Sequence, residues 1–180
     1  MQTYLNFHHN NHNMELNQAL KKLKGSKTFK DWDNKNQGNF FSYAFKMIEN
    51  SKSSPWQLGF YHKSADKVMT FVVDEAEIKI EQEEEVFKKP DMEVKQIDIK
   101  KAKISFEKLL KKAEEFKKEK YPNELVSKTI AILQNLDEYG TIWNTTYVMH
   151  SFKTLNMKIS PENGKILHHS LESLMDFIKK

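Results

Sequence analysis

The first apolar pattern along the chain is that of a short amphipathic helix. Between residues 14 and 25, four apolar residues recur at helical spacing and share one face: Leu16, Ala19, Leu20 and Leu23. Gly25 follows them and is a natural C-terminal stop. The sequence therefore predicts an N-terminal helix that ends at Gly25.

Two further short helices are predicted before the first proline-bounded break. Thr28 is the expected N-cap of a helix that carries Phe29 and Trp32. The segment "FFSYAFKMIENS" (residues 40–51) repeats the helical spacing, and Pro55 ends any helix that reaches it. These segments predict a group of short helices at the start of the fold.

After Pro55, apolar and polar residues alternate with the period of a strand. In "WQLGFYHK", Trp56, Leu58 and Phe60 share one face, and "SADK" is a plausible turn. "VMTFVVD" is almost wholly apolar, which is typical of a strand inside a sheet. Ile78 and Ile80 alternate with polar residues, as in an outer strand. The acidic run that follows, residues 81–85, predicts a solvated loop or strand end.

Residues 105–120 carry the clearest helix pattern. Ser105 is the expected N-cap, and Pro122 lies just beyond the end. The apolar stripe consists of Phe106, Leu109, Leu110, Ala113 and Phe116, and lysines occupy the opposite face. Residues 91–104, polar and rich in lysine, are predicted to connect the two halves of the chain.

The remaining segments predict a four-strand antiparallel meander. They are "KTIAILQNL", "GTIWNTTYVM", "FKTLNMKIS" and "GKILHHSLESL", and in the third Leu155, Met157 and Ile159 face one way. A short final helix is expected to run through Leu174 and Ile178.

Both halves thus follow one order: a helix, a strand with a tryptophan, then a return strand. We expect an α+β fold with helices packed on antiparallel sheet, in two tandem helix-plus-meander units. The expected organisation is a flexible tail (1–13), an N-terminal unit of helices and strands (14–90), a connection (91–104) and a C-terminal unit (105–180).

The second half resembles the PepSY domain family. "ISFEKLLKKAEE" (residues 104–115) is similar to the helix of that family, and "WNTTYV" with "LNMKISPENGKIL" is similar to its closing strands. The "PENG" turn has a physical reason, since Pro161 presets φ and Gly164 accepts a left-handed conformation. The resemblance covers about residues 104–170, and the first half is a candidate degenerate copy. It implies a helix on an antiparallel sheet and a non-catalytic module that binds or regulates.

Composition removes several classes of chemistry. The chain of 180 residues has no cysteine, which excludes disulfides, thiol nucleophiles and thiolate zinc sites. All 29 basic residues are lysine, so no arginine is present to read guanine or clamp phosphate. A net charge of +4 with the acidic run "EQEEE" makes nucleic-acid binding an unfavoured function.

The sequence predicts a soluble cytoplasmic protein. No apolar run reaches the length of about 18 residues that a transmembrane helix needs. The segment "MQTYLNFHHNNHNME" lacks the basic and apolar regions of a secretory signal.

Histidines offer two sets of candidate ligands or catalysts. His8, His9 and His12 are weak candidates for a metal site, because their asparagine-rich surroundings supply no packed outer shell. We expect no metal and no cofactor. His150 and His168, with Glu172 nearby, could support acid–base chemistry if the meander brought them together.

Aromatic residues are the remaining candidates. Trp56 and Trp143 occupy matching places in the two halves, where they either fill the space between sheet and helix or line a groove together with Tyr147.

We therefore expect a non-enzymatic binding or regulatory module of the PepSY type. It would bind a protein or peptide through a sheet edge or face, with Trp56, Trp143, Tyr147, His150 and His168 as binding candidates. An edge strand also offers a route to a homodimer. The alternative is a small-molecule-binding protein or enzyme with a sheet-lined pocket that uses His150, His168 or Glu172.

Overall fold

An antiparallel sheet dominates the part of the chain that the structure, a computed structural model, describes: residues 14–81, 83–85 and 93–174. The strands in this part are β1 (Asn39–Glu49), β2 (Lys52–Ser53), β3 (Trp56–His62), β4 (Lys67–Val73), β5 (Ile78–Ile80), β6 (Glu84–Glu85), β7 (Val126–Leu136), β8 (Gly140–Met149), β9 (Lys153–Ile159) and β10 (Ile166–Ser173). The helices are α1 (Leu16–Gly25), α2 (Lys27–Lys35) and α3 (Phe106–Lys120), with a short 3-10 helix at Ile99–Lys101.

All ten strands belong to one sheet. The order across it is β10-β9-β8-β7-β1-β3-β4-β5, with β2 paired to β1 and β6 paired to β4. Each half of the chain contributes consecutive antiparallel strands, and β1 pairs with β7 to join the halves. The predicted α+β class with helices packed on an antiparallel sheet is confirmed. Whether the halves are duplicated units stays a prediction.

One serine separates the first two helices. The predicted apolar stripe of α1 is buried, and Ser26 then ends α1 because its N–H donates to the Leu23 carbonyl at 2.9 Å. The Ser26 hydroxyl also accepts a hydrogen bond from the Phe29 N–H at 3.1 Å, so this residue begins α2. The predicted cap, Thr28, lies one residue inside the helix. Ser26 is the N-cap because its hydroxyl reaches the N–H of Phe29, the third residue of the helix.

Aromatic packing holds α2 on the N-terminal half of the sheet. The Phe29 ring lies 4.8 Å from Phe60 on β3 and 5.3 Å from Phe71 on β4, centroid to centroid. Trp32 lies 5.3 Å from Phe71. Such tilted and edge-on pairs add to the burial of apolar area. The prediction that α2 carries a buried Phe29 and Trp32 is confirmed.

The helix predicted at residues 40–51 is wrong, because the segment forms the central strand β1. Its apolar residues fit a helical face, but they also fit a strand with apolar contacts on both faces. Ala44 is buried on the helix-covered face, whereas Phe45 lies on the opposite face. Pairing with β3 and β7 on its two sides decides in favour of the strand. Aromatic residues at 40, 41, 43 and 45 also favour that conformation.

The second half follows its predicted elements. The Ser105 hydroxyl accepts the Lys108 N–H at 3.1 Å and caps α3, whose Leu109 and Ala113 are fully buried. The four strands β7 to β10 form the predicted meander. Gly164 has a φ of +81°, which confirms the left-handed conformation expected in the "PENG" turn.

Residues on β9 confirm the predicted facing of that strand, since Leu155, Met157 and Ile159 are fully buried. The predicted final helix falls almost wholly outside the described residues, which stop at residue 174.

The described part of the connection between the halves, residues 93–104, is held to the sheet at two points. The Ile97 N–H donates to the Phe41 carbonyl of β1 at 3.0 Å, and the Ile104 N–H donates to the Pro161 carbonyl at 3.1 Å. Both isoleucine side chains are buried in the core. Among the described helices, none is long and apolar enough to cross a membrane.

The sheet face away from the helices contains a close contact at Gly59. Tyr43 on β1 pairs with Gly59 on β3, and its ring lies directly over the glycine. The Tyr43 hydroxyl is 2.6 Å from the Thr70 hydroxyl on β4. A side chain at position 59 would occupy the space of the Tyr43 ring, so glycine is required for this three-strand contact.

Replacing Gly59 with alanine is expected to lower the free energy of unfolding by about 1–3 kcal/mol, because the new Cβ displaces the Tyr43 ring. Urea denaturation followed by circular dichroism measures the change. The control is Gly25→Ala, where nothing lies within 4 Å of the added Cβ and stability should stay constant or rise. Equal stabilities of the two variants would contradict the packing described for Tyr43.

Candidate functional site

The two candidate tryptophans meet at the centre of the molecule. Trp56 on β3 and Trp143 on β8 have ring centroids 6.2 Å apart, although one comes from each half of the chain. Phe106, the first residue of α3, lies 5.2 Å from Trp56 and 5.9 Å from Trp143. Both indoles are buried, with 1% and 2% of their surfaces exposed. The rings therefore fill the space between the sheet and the start of α3.

A buried lysine lies against this aromatic cluster. Lys46, on β1, is 2% exposed, and its Nζ sits 4.6 Å from the Trp56 ring and 5.5 Å from the Phe106 ring. These distances fit cation–π contacts. Burial lowers the pKa of Lys46 to about 8, against the opposing effect of the Glu15 and Glu75 carboxylates.

Glu15 connects this cluster to two helix starts. Its side chain forms a capping box with Gln18 at the beginning of α1. One carboxylate oxygen also accepts the Phe106 N–H at the beginning of α3, at 3.0 Å. A carboxylate at two helix N-termini and within electrostatic reach of Lys46 is well placed to stabilise all three. Lys46 is buried in this arrangement, whereas Glu15 and Phe106 are half-buried at its edge.

Other polar groups in the core are also enclosed. Tyr147 on β8 is buried, and burial, followed by the Glu114 carboxylate, raises the pKa of its hydroxyl. Trp143 Nε1 and Thr145 Oγ1, on the same face of β8, are buried without a hydrogen-bond partner among the described residues. The structure thus places Trp56, Trp143 and Tyr147 in the core under the helix layer.

The two candidate histidines lie apart. His150 is in the turn between β8 and β9, whereas His168 pairs with Lys158 towards the other end of β9. Glu172 pairs with Thr154 and so lies four residues along β10 from His168. Both histidines are exposed. The structure does not bring His150, His168 and Glu172 into one group.

His169, the residue next to His168, lies on the opposite face of β10. The His169 Nδ1 is 3.1 Å from the Tyr121 hydroxyl, and its ring lies 4.8 Å from Phe116 on α3. His168 instead faces the side of the sheet away from the helices, with the Tyr139 ring 6.5 Å away. His8, His9 and His12 lie outside the described residues. Within the described ranges no three histidine, aspartate or glutamate residues are grouped for a metal ion.

Sheet residues away from the helices form a shallow depression that the sequence did not predict. It has a volume of about 320 Å³ and is lined by Tyr43, Phe45, Gln57, Ile132 and Gln134. A second depression of about 470 Å³ lies beside α1, against Met14, Gln18, Lys22 and Glu75. None of the five predicted binding residues lines either one.

A polar network occupies the same open face, over β8 and β9. The Asn156 amide donates to Asn144 Oδ1 and to Thr146 Oγ1, both at 2.8 Å. Lys158 Nζ donates to Asn144 and Asn156, also at 2.8 Å. Burial lowers the pKa of Lys158. These side chains therefore satisfy one another's hydrogen-bonding groups, and the network holds them in place on this part of the open face.

The outer edge of β10 is the most accessible candidate surface. β10 is the last strand of the sheet, and within the described residues it pairs only with β9. The Leu174 N–H donates to the Phe152 carbonyl at 2.8 Å. Backbone groups alternate in direction along an antiparallel strand, so Ser170 and Glu172 also turn theirs towards β9. His169 and Leu171 direct their N–H and C=O groups away from β9.

This edge carries few of the features that discourage strand pairing. Natural edge strands are blunted by lysine, proline, bulges or short length. β10 has eight residues without lysine or proline, and its register shift lies near its start, between Ile166 and His168. At the opposite edge β5 has three residues, next to the acidic run that begins at Glu81. The two edges therefore differ in how readily they can accept another strand.

Sequence reasoning missed Lys46 because its segment was assigned to a helix. In a strand, Lys46 shares its face with Ala44, and the flanking Phe45 and Met47 belong to the other face. The sequence did carry a signal for a buried lysine, because Lys46 is flanked on both sides by apolar and aromatic residues. The β10 edge could be recognised only in general terms, since the sequence does not give the order of strands across the sheet.

Comparisons with known proteins support the fold. No family model matches the sequence, and no curated protein matches it. A crystal structure described as "a putative lipoprotein" from Clostridium difficile 630 has a similar fold, with a TM-score of 0.57 and 11% sequence identity. The match covers 91% of this chain and 96% of that chain. It shows that the architecture occurs in another protein over nearly its whole length.

Replacing Lys46 with methionine tests the buried ammonium group through the pH dependence of stability. Burial lowers the pKa of Lys46 from 10.5 to about 8, so between these pH values the unfolded chain binds one proton more at this site. The free energy of unfolding of the wild type, relative to Lys46→Met, should therefore rise with pH across this window. The slope is at most about 1.4 kcal/mol per pH unit.

Chemical denaturation from pH 7.5 to pH 10 measures this difference. The matched control is Lys63→Met, at a lysine whose side chain is 75% exposed, and its profile should stay parallel to that of the wild type. A Lys46→Met profile parallel to the wild type would show that the ammonium group is not strained by burial.

Proposed function

We propose that this chain is a non-enzymatic binding module of the PepSY type that takes a segment of a protein or peptide, in extended form, along the outer edge of β10. The observation that carries the proposal is the outward direction of the backbone groups of His169 and Leu171 on a long edge strand. Such groups gain hydrogen bonds when another strand is added to the sheet.

Side chains on both faces of β10 would give the interaction its selectivity. Leu171 lies on the helix-covered face and packs against the core, beside His169 and the aromatic residues of α3. His168, Ser170 and Glu172 lie on the open face. An added strand would therefore contact Leu171 and the His169 ring on one face and a polar row on the other. This pattern suits a segment with alternating apolar and polar residues.

The helix-on-sheet architecture supports the PepSY assignment, because it is the fold that the resemblance implies. The topology also supports the proposed duplication, since β1, β3, β4 and β5 in one half correspond in order to β7, β8, β9 and β10 in the other. The cytoplasmic location stays a prediction.

A proline scan of β10 tests the binding edge. Peptides selected from a displayed random library on the wild-type chain are the probe. His169→Pro should weaken their binding about tenfold or more, because proline removes an outward N–H and its ring obstructs the edge. His169→Ala retains the backbone group and should bind within a few-fold of the wild type, as measured by calorimetry.

Stability separates this effect from misfolding. His169→Pro should leave the β9–β10 hydrogen bonds in place, whereas Ser170→Pro removes an N–H that faces β9 and should lower the melting temperature. Amide hydrogen exchange should show new protection at His169 and Leu171 when peptide binds. Protection confined to the strands around Tyr43 and Phe45 would place binding on the open face and refute the edge.

A further inference from the structure

We propose that the segment taken up by the β10 edge is β10 of a second copy of this chain, with the two strands antiparallel about a two-fold axis at Ser170. This inference rests on the proposed function, because it identifies the occupant of the same edge. The result is a symmetric dimer in which the two sheets become continuous.

Backbone direction limits the possible registers. A new antiparallel neighbour must place outward-facing residues opposite outward-facing residues. With the axis at Ser170, His169 of each copy lies opposite Leu171 of the other, and both residues face outwards. Each of the two His169–Leu171 pairs exchanges two hydrogen bonds. Ser170 lies opposite its own copy, at a position where neither residue bonds across the interface.

Side-chain pairing selects this register among those the backbone permits. On the open face it places His168 opposite Glu172 of the second copy, and the symmetry repeats the pair. The Lys158 ammonium group, on β9, is held by Asn144 and Asn156 and does not face the second copy. The pair that meets across the interface is therefore the His168 imidazole of one copy and the Glu172 carboxylate of the other. Opposite-charge and hydrogen-bonded pairs at directly facing positions stabilise antiparallel strands.

Neighbouring registers lack this complementarity. An axis at Leu171 places Glu172 opposite Ser170 and leaves His168 opposite Leu174. An axis at Glu172 places two carboxylates against each other, which is destabilising. Of these three registers, the Ser170 register is the one that joins the two polar rows with matched groups at both ends and keeps the outward backbone pairs.

A single-cysteine experiment tests the register directly, because the chain has no cysteine of its own. Opposite residues at a position without cross-strand hydrogen bonds have Cα atoms about 4.5 Å apart, which is within the range for a disulfide. Ser170→Cys should therefore form a covalent dimer under mild oxidation. Ser173→Cys is the matched control, because it leaves His168 and Glu172 in place. Its symmetric mates are offset by six residues, roughly 20 Å along the strand, so cross-linking should be at least tenfold slower.

Charge variants test the complementarity in the full chain without a cross-link. Sedimentation of the wild type should show reversible dimers. Glu172→Lys places a cation opposite His168 at both ends of the interface and should weaken the dimer on the order of tenfold in Kd. The double variant His168→Glu with Glu172→Lys places opposite charges at the same facing positions and should recover the affinity.

The outcomes distinguish this inference from the proposed function. Equal cross-linking of Ser170→Cys and Ser173→Cys, a wild type that stays monomeric at millimolar concentration, or a dimer unaffected by Glu172→Lys would each overturn self-pairing. If selected peptides still bind and lose affinity in His169→Pro, the edge function stands with another partner. If His169→Pro abolishes both the dimer and peptide binding, a second copy and an extended peptide share the edge.

Discussion

The centre of this fold has to accommodate one buried ammonium group. Lys46 lies on the central strand under the helix layer, where an uncompensated charge is costly. The Trp56 and Phe106 rings face it, and Glu15 acts on it electrostatically. Each of these groups comes from a different element. Their meeting point therefore sets where β3 and the starts of α1 and α3 lie relative to β1.

This arrangement explains why the surfaces available for recognition lie away from the tryptophans. The residues that join the halves pack together in the core. Trp143 packs against Trp56, and the Phe106 ring at the start of α3 packs against both. The helix layer covers that face of the sheet. The accessible surfaces are the open face of the sheet and its outermost strands, β10 and β5. The polar network around Asn156 orders the open face, and the edge of β10 leaves backbone groups directed outwards.

Much of the fold follows from local patterns, and the exceptions have physical causes. The cap at Ser105, the facing of β9 and the turn at Gly164 depend on residues close in sequence, so the sequence predicts them. The helix predicted for the β1 segment was wrong because a strand with apolar residues on both faces also satisfies the helical period. The order of strands depends on the distant pairing of β1 with β7, which no local pattern encodes. The outermost position of β10, and hence its edge, follows only from that order.

The pairing of β1 with β7 also has a kinetic consequence. Tyr43 and Gln134 are opposite each other, and half of the chain lies between them in sequence. All other strand pairs form within one half, between neighbours close along the chain. Closing the long loop costs more entropy than closing the hairpins, so the central seam is expected to form late on the folding pathway. Two partly ordered halves would then precede the native state. In one half β1, and in the other β7, would still lack its neighbouring strand.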